Sequence, residues 1–296
     1  MIKVKENFSL AKRTTIGTGG PARFYAEPEA VEDVVELLAW ADGVGLPVAV
    51  VGLGSNLLVA DEGFAGVVLK LRAVLAMAKA EDATLMAGGG APLAVCLHRA
   101  RASGLGGLEF ACAIPGTVGG AVWMNAGAYG GDLAGILARA LVADAKGARW
   151  HTPEELGLSY RRSGLRRGQV VAGVELRLEP RHEDEIRETV AALQAERKAA
   201  QPTNKRTFGS VFKNPEHELT AGRMLDACGL RGYRIGGAQI SPKHANFIEN
   251  AGKARSADAV ALIAEARRRA REQFGVVLEP EVQLLGAIEI PPLAVG

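Results

Sequence analysis

The sequence predicts a fold of mixed helices and strands, divided into two or three domains. Apolar residues at helical spacing alternate with short apolar runs typical of buried strands, most clearly between residues 28 and 71. Glycine-rich connections separate strand-like runs in the middle of the chain, and a long amphipathic helix dominates the last third. A chain of 296 residues can bury a substantial core and form more than one domain.

The first segment is predicted to form a small α/β unit. Pro28 opens a helix with carboxylates in its early turns, where they suit the helix dipole. Gly43 and Gly45 are expected to end that helix. Residues 47–51 and 66–71 then read as short buried strands.

The middle segment is predicted to combine short strands with glycine-rich connections. Residues 84–87 and 170–178 give the clearest strand signals, and residues 92–102 read as a helix. Glycine recurs throughout residues 104–131, so this stretch predicts no regular structure. A loop of that length is uncommon in a compact domain unless it holds something. A domain boundary is expected near residues 180–184.

The last segment returns to helices and strands. Pro202 should stop its first helix, and Ser256 should act as the N-cap of its longest helix. The predicted elements are helices over residues 183–200, 221–227 and 256–274, a strand over residues 245–249, and extended chain over residues 276–290.

Charge and cysteine content exclude several classes of protein. The formal net charge is only +2, and the basic run at residues 267–271 lies on a predicted helix as a solvated face, so no nucleic-acid partner is expected. Cys96, Cys112 and Cys228 are few and widely spaced, which argues against a disulfide framework. The five histidines show no ligand spacing, so no metal site is expected.

The chain shows no signal for a membrane. Residues 1–8 carry Lys3, Lys5 and Glu6 and no apolar signal core. No apolar run approaches the roughly 18 residues that a spanning helix needs. A soluble, cytoplasmic protein is therefore expected.

The first chemical signal is the glycine-rich loop VVGLGSNLL, which directly follows a predicted strand. Glycines let successive backbone N–H groups approach and cradle phosphate oxygens, and Ser55 and Asn56 add side-chain donors. A tight turn between two strands uses the same residue types. The loop has neither the lysine ending of a P-loop nor the full Rossmann pattern, so both interpretations stay open at this point.

The second signal is FACAIPGTVGGA, followed closely by NAGAYG. Two glycine-rich loops in different segments suggest one extended ligand gripped from two sides, and a dinucleotide cofactor has that shape. The alternative is that the small residues let backbone pack against backbone. Taken together, the two loops favour a cofactor.

Several strings in order resemble the UDP-N-acetylenolpyruvoylglucosamine reductase family. They are TIGTGGPA, GLGSNLLVADEGFAGVV, GLEFACAIPGTVGGAVWMNAGAYG, SYRRS, FGSVFKNP, GLRGYRIGGAQISPKHANF and LEPEVQLLG. The resemblance covers nearly the whole chain, and the ordered set is far more specific than any single string. Leu53 stands where the family's usual glycine occurs in the middle of the first loop.

The resemblance implies an α+β flavoprotein. Its two-part FAD-binding module would be of the vanillyl-alcohol oxidase type, followed by a C-terminal α+β substrate-binding domain. The implied division is residues 1–72 with a returning strand at residues 286–296, residues 73–181, and residues 182–285. The residues implied to hold non-covalent FAD are Gly52, Leu53, Gly54, Ser55, Asn56, Leu57, Ile114, Pro115, Gly116, Thr117, Gly119, Gly120, Asn125, Ala126 and Gly127.

The resemblance also implies a reaction and three catalytic residues. NADPH would reduce FAD, and UDP-N-acetylglucosamine enolpyruvate would then be reduced to UDP-N-acetylmuramate. Arg161 matches the family arginine that stabilises the enolate. A guanidinium suits this role because it is always charged. Ser210 matches the proton donor and Glu281 the third catalytic residue. Without the resemblance, the sequence does not distinguish Arg161 from Arg162 or Glu281 from Glu279.

Residues for the sugar nucleotide are predicted from charge and position. The candidates are Tyr160, Lys213, Asn214, Arg223, Arg231, Arg234, Gln239 and His244, although a lone histidine is more often structural. The connection over residues 202–207 leaves little room for a tyrosine-bearing lid, which indicates the shorter, second type of this reductase with a more open cleft. The expected partners are the sugar nucleotide and NADPH, and a monomer is expected.

The sequence is also compatible with two other functions. One is an FAD oxidase of the same fold, many of which tether flavin through His or Cys; Cys112 is the one such residue within the loop strings. The other is a nucleotide-sugar binding module without redox chemistry, which would be colourless when purified.

Overall fold

A computed structural model of the chain describes residues 2–293 and divides into two compact units. Within that range, the first unit comprises residues 2–6, 24–53 and 66–197. The second comprises residues 7–23, 54–65 and 198–293. Each unit is therefore built from three separated stretches of chain, and each is described by itself.

The helices are short in the middle of the chain and long near its end. They are α1 (Val31–Gly43), α2 (Leu93–Ala102), α3 (Val118–Trp123), α4 (Pro153–Leu156), α5 (Glu183–Ala200), α6 (Ala221–Ala227) and α7 (Ser256–Phe274), with 3-10 turns at Ala11–Arg13, Ala73–Ala76 and Glu109–Ala113.

The strands are mostly short. They are β1 (Val4–Ser9), β2 (Pro21–Ala26), β3 (Val48–Val50), β4 (Leu57–Val59), β5 (Phe64–Leu69), β6 (Ala78–Glu81), β7 (Thr84–Gly88), β8 (Leu105–Gly106), β9 (Gly127–Ala128), β10 (Gly131–Asp132), β11 (Leu137–Asp144), β12 (Gly147–His151), β13 (Val170–Arg177), β14 (Glu179–Pro180), β15 (Thr207–Ser210), β16 (Arg234–Ile235), β17 (Ala238–Ile240), β18 (Phe247–Asn250) and β19 (Gln283–Leu285).

The first unit is organised around an antiparallel sheet in the order β12-β11-β13-β7-β6. Its central strand, β13, is a nearly continuous buried run, as expected of a strand covered on both faces. Helix α3 packs very closely on this sheet, because a Cβ on Gly119 would lie 2.8 Å from the carbonyl oxygen of Gly89. Glycine is therefore needed there for backbone-to-backbone packing.

A parallel strand pair and α1 form another part of the first unit. Val48–Val50 pairs in parallel with residues 67–69 of β5. Helix α1 contributes Val34, Leu37 and Leu38 to an apolar cluster with that pair. The predicted α/β character of this segment is observed.

The second unit contains an antiparallel sheet in the order β15-β18-β17-β16 and a two-stranded parallel pair of β19 with β4. Helices α6 and α7 contribute Met224, Leu225, Leu262 and Ile263 to its buried core. A register shift between Thr207 and Ser210 interrupts the pairing of β15 with β18, which marks a β-bulge.

Several predicted elements differ from the structure. Helix α1 begins at Val31 rather than Pro28, because the Asp33 carboxylate accepts hydrogen bonds from the N–H groups of Glu29 and Ala30, both at 3.0 Å, and fixes them ahead of the first turn. The stretch predicted to lack regular structure contains helix α3, which starts at Thr117 as its N-cap. The local sequence alone predicts neither the start of α1 at Val31 nor the presence of α3.

Helix α7 has its first helical residue, not its N-cap, at Ser256. The carboxylate of Asp61 accepts from the N–H groups of Ser256 at 2.9 Å and Ala257 at 3.1 Å. The hydroxyl of Ser256 donates to the carbonyl oxygen of Val59. The cap is thus supplied by a residue distant in sequence, which a local pattern does not reveal.

The predicted returning strand over residues 286–296 is not observed where the structure describes it. The last strand is β19, and residues 286–293 form no strand; residues 294–296 lie outside the described range. The three-domain division stays a prediction, and the two units described above follow different boundaries. Among the described residues, no helix is long and apolar enough to cross a membrane.

Candidate active site

The first unit brings the start of the first glycine loop against the second loop. A Cβ on Gly52 would lie 2.5 Å from Thr117 Oγ1, so only glycine permits this approach. The backbone N–H groups of Gly52, Leu53, Gly116 and Thr117 make no hydrogen bond within the part of the chain that the structure describes. A Cβ on Gly116 would meet nothing nearer than 3.9 Å, so open space adjoins this backbone. These are the features that an anion held by main-chain amides requires.

The rest of the first loop lies in the second unit, where close packing requires a glycine at residue 54. Gly54 has φ +69°, and a Cβ there would lie 2.0 Å from the carbonyl oxygen of Arg13. The N–H group of Thr15 donates to the Gly54 carbonyl at 3.0 Å, and the Thr15 hydroxyl does so at 3.1 Å. Gly54 is therefore glycine for a reason of packing, as the tight-turn interpretation expects.

Asn56 connects this loop to the predicted catalytic glutamate. Its Nδ2 donates to the carbonyl oxygen of Glu281 at 3.1 Å, and its own carbonyl accepts from the N–H group of Gln283. Leu57 follows in β4 and pairs with Gln283. The Asn56 side chain, predicted as a phosphate donor, thus binds backbone in this structure.

Ser210 and Glu281 lie on adjacent backbone in the second unit. The N–H group of Glu281 donates to the carbonyl oxygen of Val211, the residue after Ser210, at 2.8 Å. A Cβ on Gly209 would lie 3.3 Å from the carbonyl oxygen of Ser55, so the first loop passes beside the same turn. The Ser210 hydroxyl makes no hydrogen bond to any described residue. It is available to a ligand.

Asn246 fixes the chain beyond Ser210 and was not predicted as a site residue. Its Oδ1 accepts from the N–H group of Phe212 and its Nδ2 donates to the carbonyl of the same residue, both at 2.9 Å. Its main-chain carbonyl accepts from the N–H group of Val211. Asn246 lies in the string KHANF, which carried the family resemblance, although no local pattern assigns it this role.

Arg161 lies in the first unit on the chain that follows the second loop. Its Nη2 donates to the carbonyl of Gly127 at 2.6 Å, and its guanidinium lies 5.1 Å from the ring centre of Tyr160. Asn125 Nδ2 donates to the carbonyl of Ser159 at 3.1 Å. The NAG and SYRR strings are therefore joined, and both Arg161 and Asn125 adopt left-handed φ angles of 54° and 40°. Such strain in non-glycine residues is concentrated at functional sites.

The cations predicted for the diphosphate are engaged to different degrees. Lys213 forms an ion pair with Glu279 at 2.6 Å. Arg231 contacts both carboxylate oxygens of Asp226 and donates to the carbonyl of Lys243 at 2.9 Å. A ligand phosphate would have to compete with these carboxylates. The side chains of Arg223 and Arg234 are exposed.

Asn214, Gln239 and His244 all have partners within the second unit. Asn214 Oδ1 accepts from the N–H group of Ala221 at the start of α6, and Gln239 Nε2 donates to the carbonyl of Gly232. The His244 ring packs edge-on against Phe247 with centroids 5.0 Å apart. Burial, reinforced by the charge of Arg231, lowers the pKa of His244. A structural role accounts for these contacts of His244.

Among the described residues, no group of three or more His, Cys, Asp or Glu side chains could hold a metal ion. Cys96 is buried, and burial raises its pKa to about 12. Cys112, at the edge of the second loop, is half-buried, and burial raises the pKa of its thiol as well.

Comparison with known proteins identifies the family. A UDP-N-acetylenolpyruvoylglucosamine reductase of Agathobacter rectalis is 43% identical over 291 residues, covering 94% of this chain and 92% of that protein. The chain belongs to the UDP-N-acetylenolpyruvoylglucosamine reductase family. A member from Anaeromyxobacter dehalogenans is 44% identical over 283 residues, covering 96% of this chain and 85% of the relative.

Family models and a solved structure agree with this assignment. Residues 201–285 match the model described as the C-terminal domain of UDP-N-acetylenolpyruvoylglucosamine reductase, and residues 22–152 match an FAD binding domain. The crystal structure of the Thermus caldophilus reductase superimposes with a TM-score of 0.84 at 37% identity, covering 96% of this chain and all of that chain. The predicted α+β fold with an FAD-binding module and a C-terminal domain is confirmed, and the chain is an FAD-dependent oxidoreductase.

Proposed function

We propose that this protein reduces UDP-N-acetylglucosamine enolpyruvate to UDP-N-acetylmuramate with electrons from NADPH, a step of peptidoglycan precursor synthesis in the cytoplasm. Membership of the reductase family supports this substrate, and the FAD-binding domain supports the cofactor. The supporting observation in the structure is the backbone connection between Ser210 and Glu281, with the free Ser210 hydroxyl beside the first loop.

The unpaired amides of the first unit suit the pyrophosphate of FAD. Gly52, Leu53, Gly116 and Thr117 would donate N–H groups to its oxygens, where glycine leaves room for close approach. When bound, FAD would supply hydride-transfer chemistry, with NADPH as the hydride donor and the terminal carbon of the enolpyruvyl double bond as the acceptor. The chain itself must then handle one proton and the negative charge that develops on the substrate.

Ser210 is the proposed proton donor to the substrate carbon that bears the carboxylate. A hydroxyl is a weak acid, so it can act only when it is held against a strongly basic carbon. The bulge of β15 and the hydrogen bonds of Asn246 to Phe212 fix the backbone on both sides of Ser210. Because the backbone is fixed, the Ser210 hydroxyl is held in place before the reaction, and less freedom of motion has to be lost when the proton is transferred.

Arg161 and Glu281 are proposed to act on the substrate carboxylate and the charge beside it. A guanidinium stabilises an enolate through a planar fork of donors, and the hydrogen bond from Nη2 to the Gly127 carbonyl orients the guanidinium of Arg161. Glu281 must be protonated or hydrogen-bonded to share a site with a second carboxylate, because two bare carboxylates repel.

The two half-reactions give a direct test. NADPH should bleach the flavin absorbance of the wild-type protein in the absence of oxygen, and the enolpyruvyl sugar nucleotide should restore it. Replacing Ser210 with Ala should leave the first half unchanged and slow the second by roughly 10²–10⁴-fold, the usual contribution of a general acid. Stopped-flow absorbance measures both rates.

Ser103→Ala is the matched control, because Ser103 is an exposed serine at the end of α2, and both of its half-reactions should equal those of the wild type. Equal slowing of both halves in the Ser210 variant would show that Ser210 is not the proton donor. A wild-type flavin that the sugar nucleotide leaves reduced, while oxygen rapidly reoxidises it, would instead identify an oxidase.

A further inference from the structure

Lys70 lies directly beside the start of the first glycine loop. Val50 pairs with Leu69 in the parallel strands β3 and β5, and the N–H group of Val51 donates to the Leu69 carbonyl at 2.9 Å. The carboxyl ends of parallel strands lie at the same edge of a sheet. Gly52 and Lys70 are therefore the first residues beyond this pairing on two neighbouring strands.

The side chain of Lys70 reaches across to the loop. Its Nζ donates to the carbonyl oxygen of Gly52 at 2.8 Å. The N–H group of Lys70 donates to the carbonyl of Ala26 at 3.0 Å, so the backbone that carries this side chain is held as well. Lys70 is half-buried. A charged ammonium is thus fixed against one peptide group of the loop.

That peptide group has an unpaired N–H on its other side. The Gly52 carbonyl and the Leu53 N–H belong to the same peptide unit, and no cis peptide bond occurs among residues 2–293. In a trans peptide the C=O and N–H bonds point in opposite directions. The Leu53 N–H, which makes no hydrogen bond to any described residue, therefore points away from Lys70.

The ammonium strengthens this N–H as a hydrogen-bond donor. Each peptide unit carries a dipole of about 3.5 D, whose negative end is the carbonyl oxygen. A cation bound to that oxygen draws electron density toward it and makes the N–H at the opposite end more positive. Hydrogen bonds in a chain polarise one another in this way. The Leu53 N–H is therefore better suited to an anion than to a neutral acceptor.

Lys70 also acts through its charge. Bond and hydrogen-bond lengths place an anion bound to the Leu53 N–H within roughly 8 Å of Nζ. Attraction over that distance is strong at low ionic strength, since the Debye length is about 30 Å at 0.01 M, and is largely screened at 1 M, where it is about 3 Å. The salt dependence of anion binding consequently reports on this charge.

We propose that Lys70 is a positioning residue for the FAD diphosphate: it holds the Gly52 carbonyl, directs the Leu53 N–H toward the diphosphate and supplies a positive charge behind that N–H. This inference rests on the proposed function, which places the diphosphate at these amides. The first loop itself has no lysine like that of a P-loop. Lys70 supplies the missing charge from the neighbouring strand.

Lys70→Met tests this role by FAD affinity alone. Methionine is similar to lysine in length, but it carries no charge and donates no hydrogen bond. The Kd for FAD, measured from the recovery of flavin fluorescence when the holoenzyme is diluted at low ionic strength, should rise roughly 10- to 100-fold. Lys70→Arg keeps a charged donor and should stay within about 3-fold of the wild type.

Lys146→Met is the matched control. Lys146 is exposed in the turn between β11 and β12, so its replacement removes the same charge without touching the loop. Its Kd for FAD should equal that of the wild type. A rise as large as that of Lys70→Met would show that net charge alone is responsible, and would overturn the inference.

Salt distinguishes the charge of Lys70 from a purely structural contribution. The ratio of the Kd values of Lys70→Met and the wild type should fall at least about threefold between roughly 0.01 M and 1 M KCl. Lys70→Gln, a second neutral variant, should show the same convergence with the wild type. A ratio that does not change with salt would show that Lys70 only supports the shape of the loop, and the inference would be wrong.

Failure of the inference and failure of the proposed function give different results. An unchanged Kd for FAD in Lys70→Met would show that Lys70 does not serve the diphosphate, whatever reaction the protein catalyses. FAD binding that depends on Lys70, in a protein whose reduced flavin is not reoxidised by the enolpyruvyl sugar nucleotide, would support the inference and refute the proposed function.

Discussion

At the scale of single residues, the glycines of the first loop serve two different purposes. Neither Gly52 nor Gly54 has room for a Cβ. A Cβ on Gly52 would collide with the Thr117 side chain, whereas a Cβ on Gly54 would collide with the Arg13 backbone. Backbone cannot move aside as a side chain can. The phosphate-cradle and tight-turn interpretations of this loop are therefore complementary, and Gly54 belongs to the second.

Replacing Gly54 with Ala should destabilise the protein strongly. A left-handed alanine alone costs roughly 1–2 kcal/mol, and a Cβ placed 2.0 Å from the Arg13 carbonyl adds the cost of displaced backbone. We expect a loss of at least about 2 kcal/mol in urea unfolding.

Gly229→Ala is the matched control for this prediction. Gly229 has nearly the same φ, +67°, but a Cβ there would meet nothing within 4 Å. It should lose only about 1–2 kcal/mol, the cost of the backbone conformation. Equal losses in the two variants would show that the contact with Arg13 contributes nothing.

At the scale of elements, the chain just after β15 is held by one distant residue, Asn246. The Asn246 side chain binds both main-chain groups of Phe212, and its main-chain carbonyl accepts from the N–H group of Val211. The proposed proton donor thus sits at an irregular strand end stabilised from outside the strand.

Asn246→Ala should affect both stability and the second half-reaction. It leaves two buried main-chain groups unsatisfied, at about 1–3 kcal/mol each. We expect a lower midpoint in urea and slower reoxidation of the flavin by the sugar nucleotide, with flavin reduction by NADPH preserved. Asn204→Ala, at an exposed position, should change none of these quantities. Normal reoxidation in the Asn246 variant would show that the clamp does not position Ser210.

Elements set by local patterns could be predicted, and those set by distant contacts could not. Helices α5 and α6 have the predicted bounds. For α5, amphipathic spacing and Pro202 are local signals that define those bounds. The N-cap of α7 was wrong because Asp61 supplies it from far away in the sequence. Helix α3 is not predicted, because its two glycines disfavour a helix locally, whereas Gly119 is needed for close packing against the backbone of β13.

The candidate site shows the same division. The loops, Ser210 and Arg161 were found through ordered strings, and their roles remain proposals. Asn246 lies in one of those strings, yet no local pattern assigns it a role, because the main-chain groups that it binds belong to Phe212, 34 residues away in the sequence.

At the scale of the whole molecule, the FAD-binding domain and the family are established, whereas the mode of flavin attachment is a prediction. Thiolates are the nucleophilic form of cysteine, and burial raises the pKa of the Cys112 thiol, which disfavours a covalent tether at that loop.

Denaturation with acid should therefore release all flavin into the supernatant. Removing FAD should also lower stability, since a ligand at 100 times its Kd contributes about 2.7 kcal/mol to the folded state. Thermal unfolding with and without added FAD measures this difference. Flavin that stays with the precipitated protein would contradict non-covalent binding.

The parallel pairing of β4 with β19 has a consequence for biosynthesis. Asn56 and Glu281, which flank this pair, are 225 residues apart in the chain. At about 5–20 residues per second, a ribosome needs roughly 11–45 s to pass from one to the other. During that interval the nascent β4 segment, with its apolar Leu58 and Val59, lacks the strand it will pair with, and is open to chaperones.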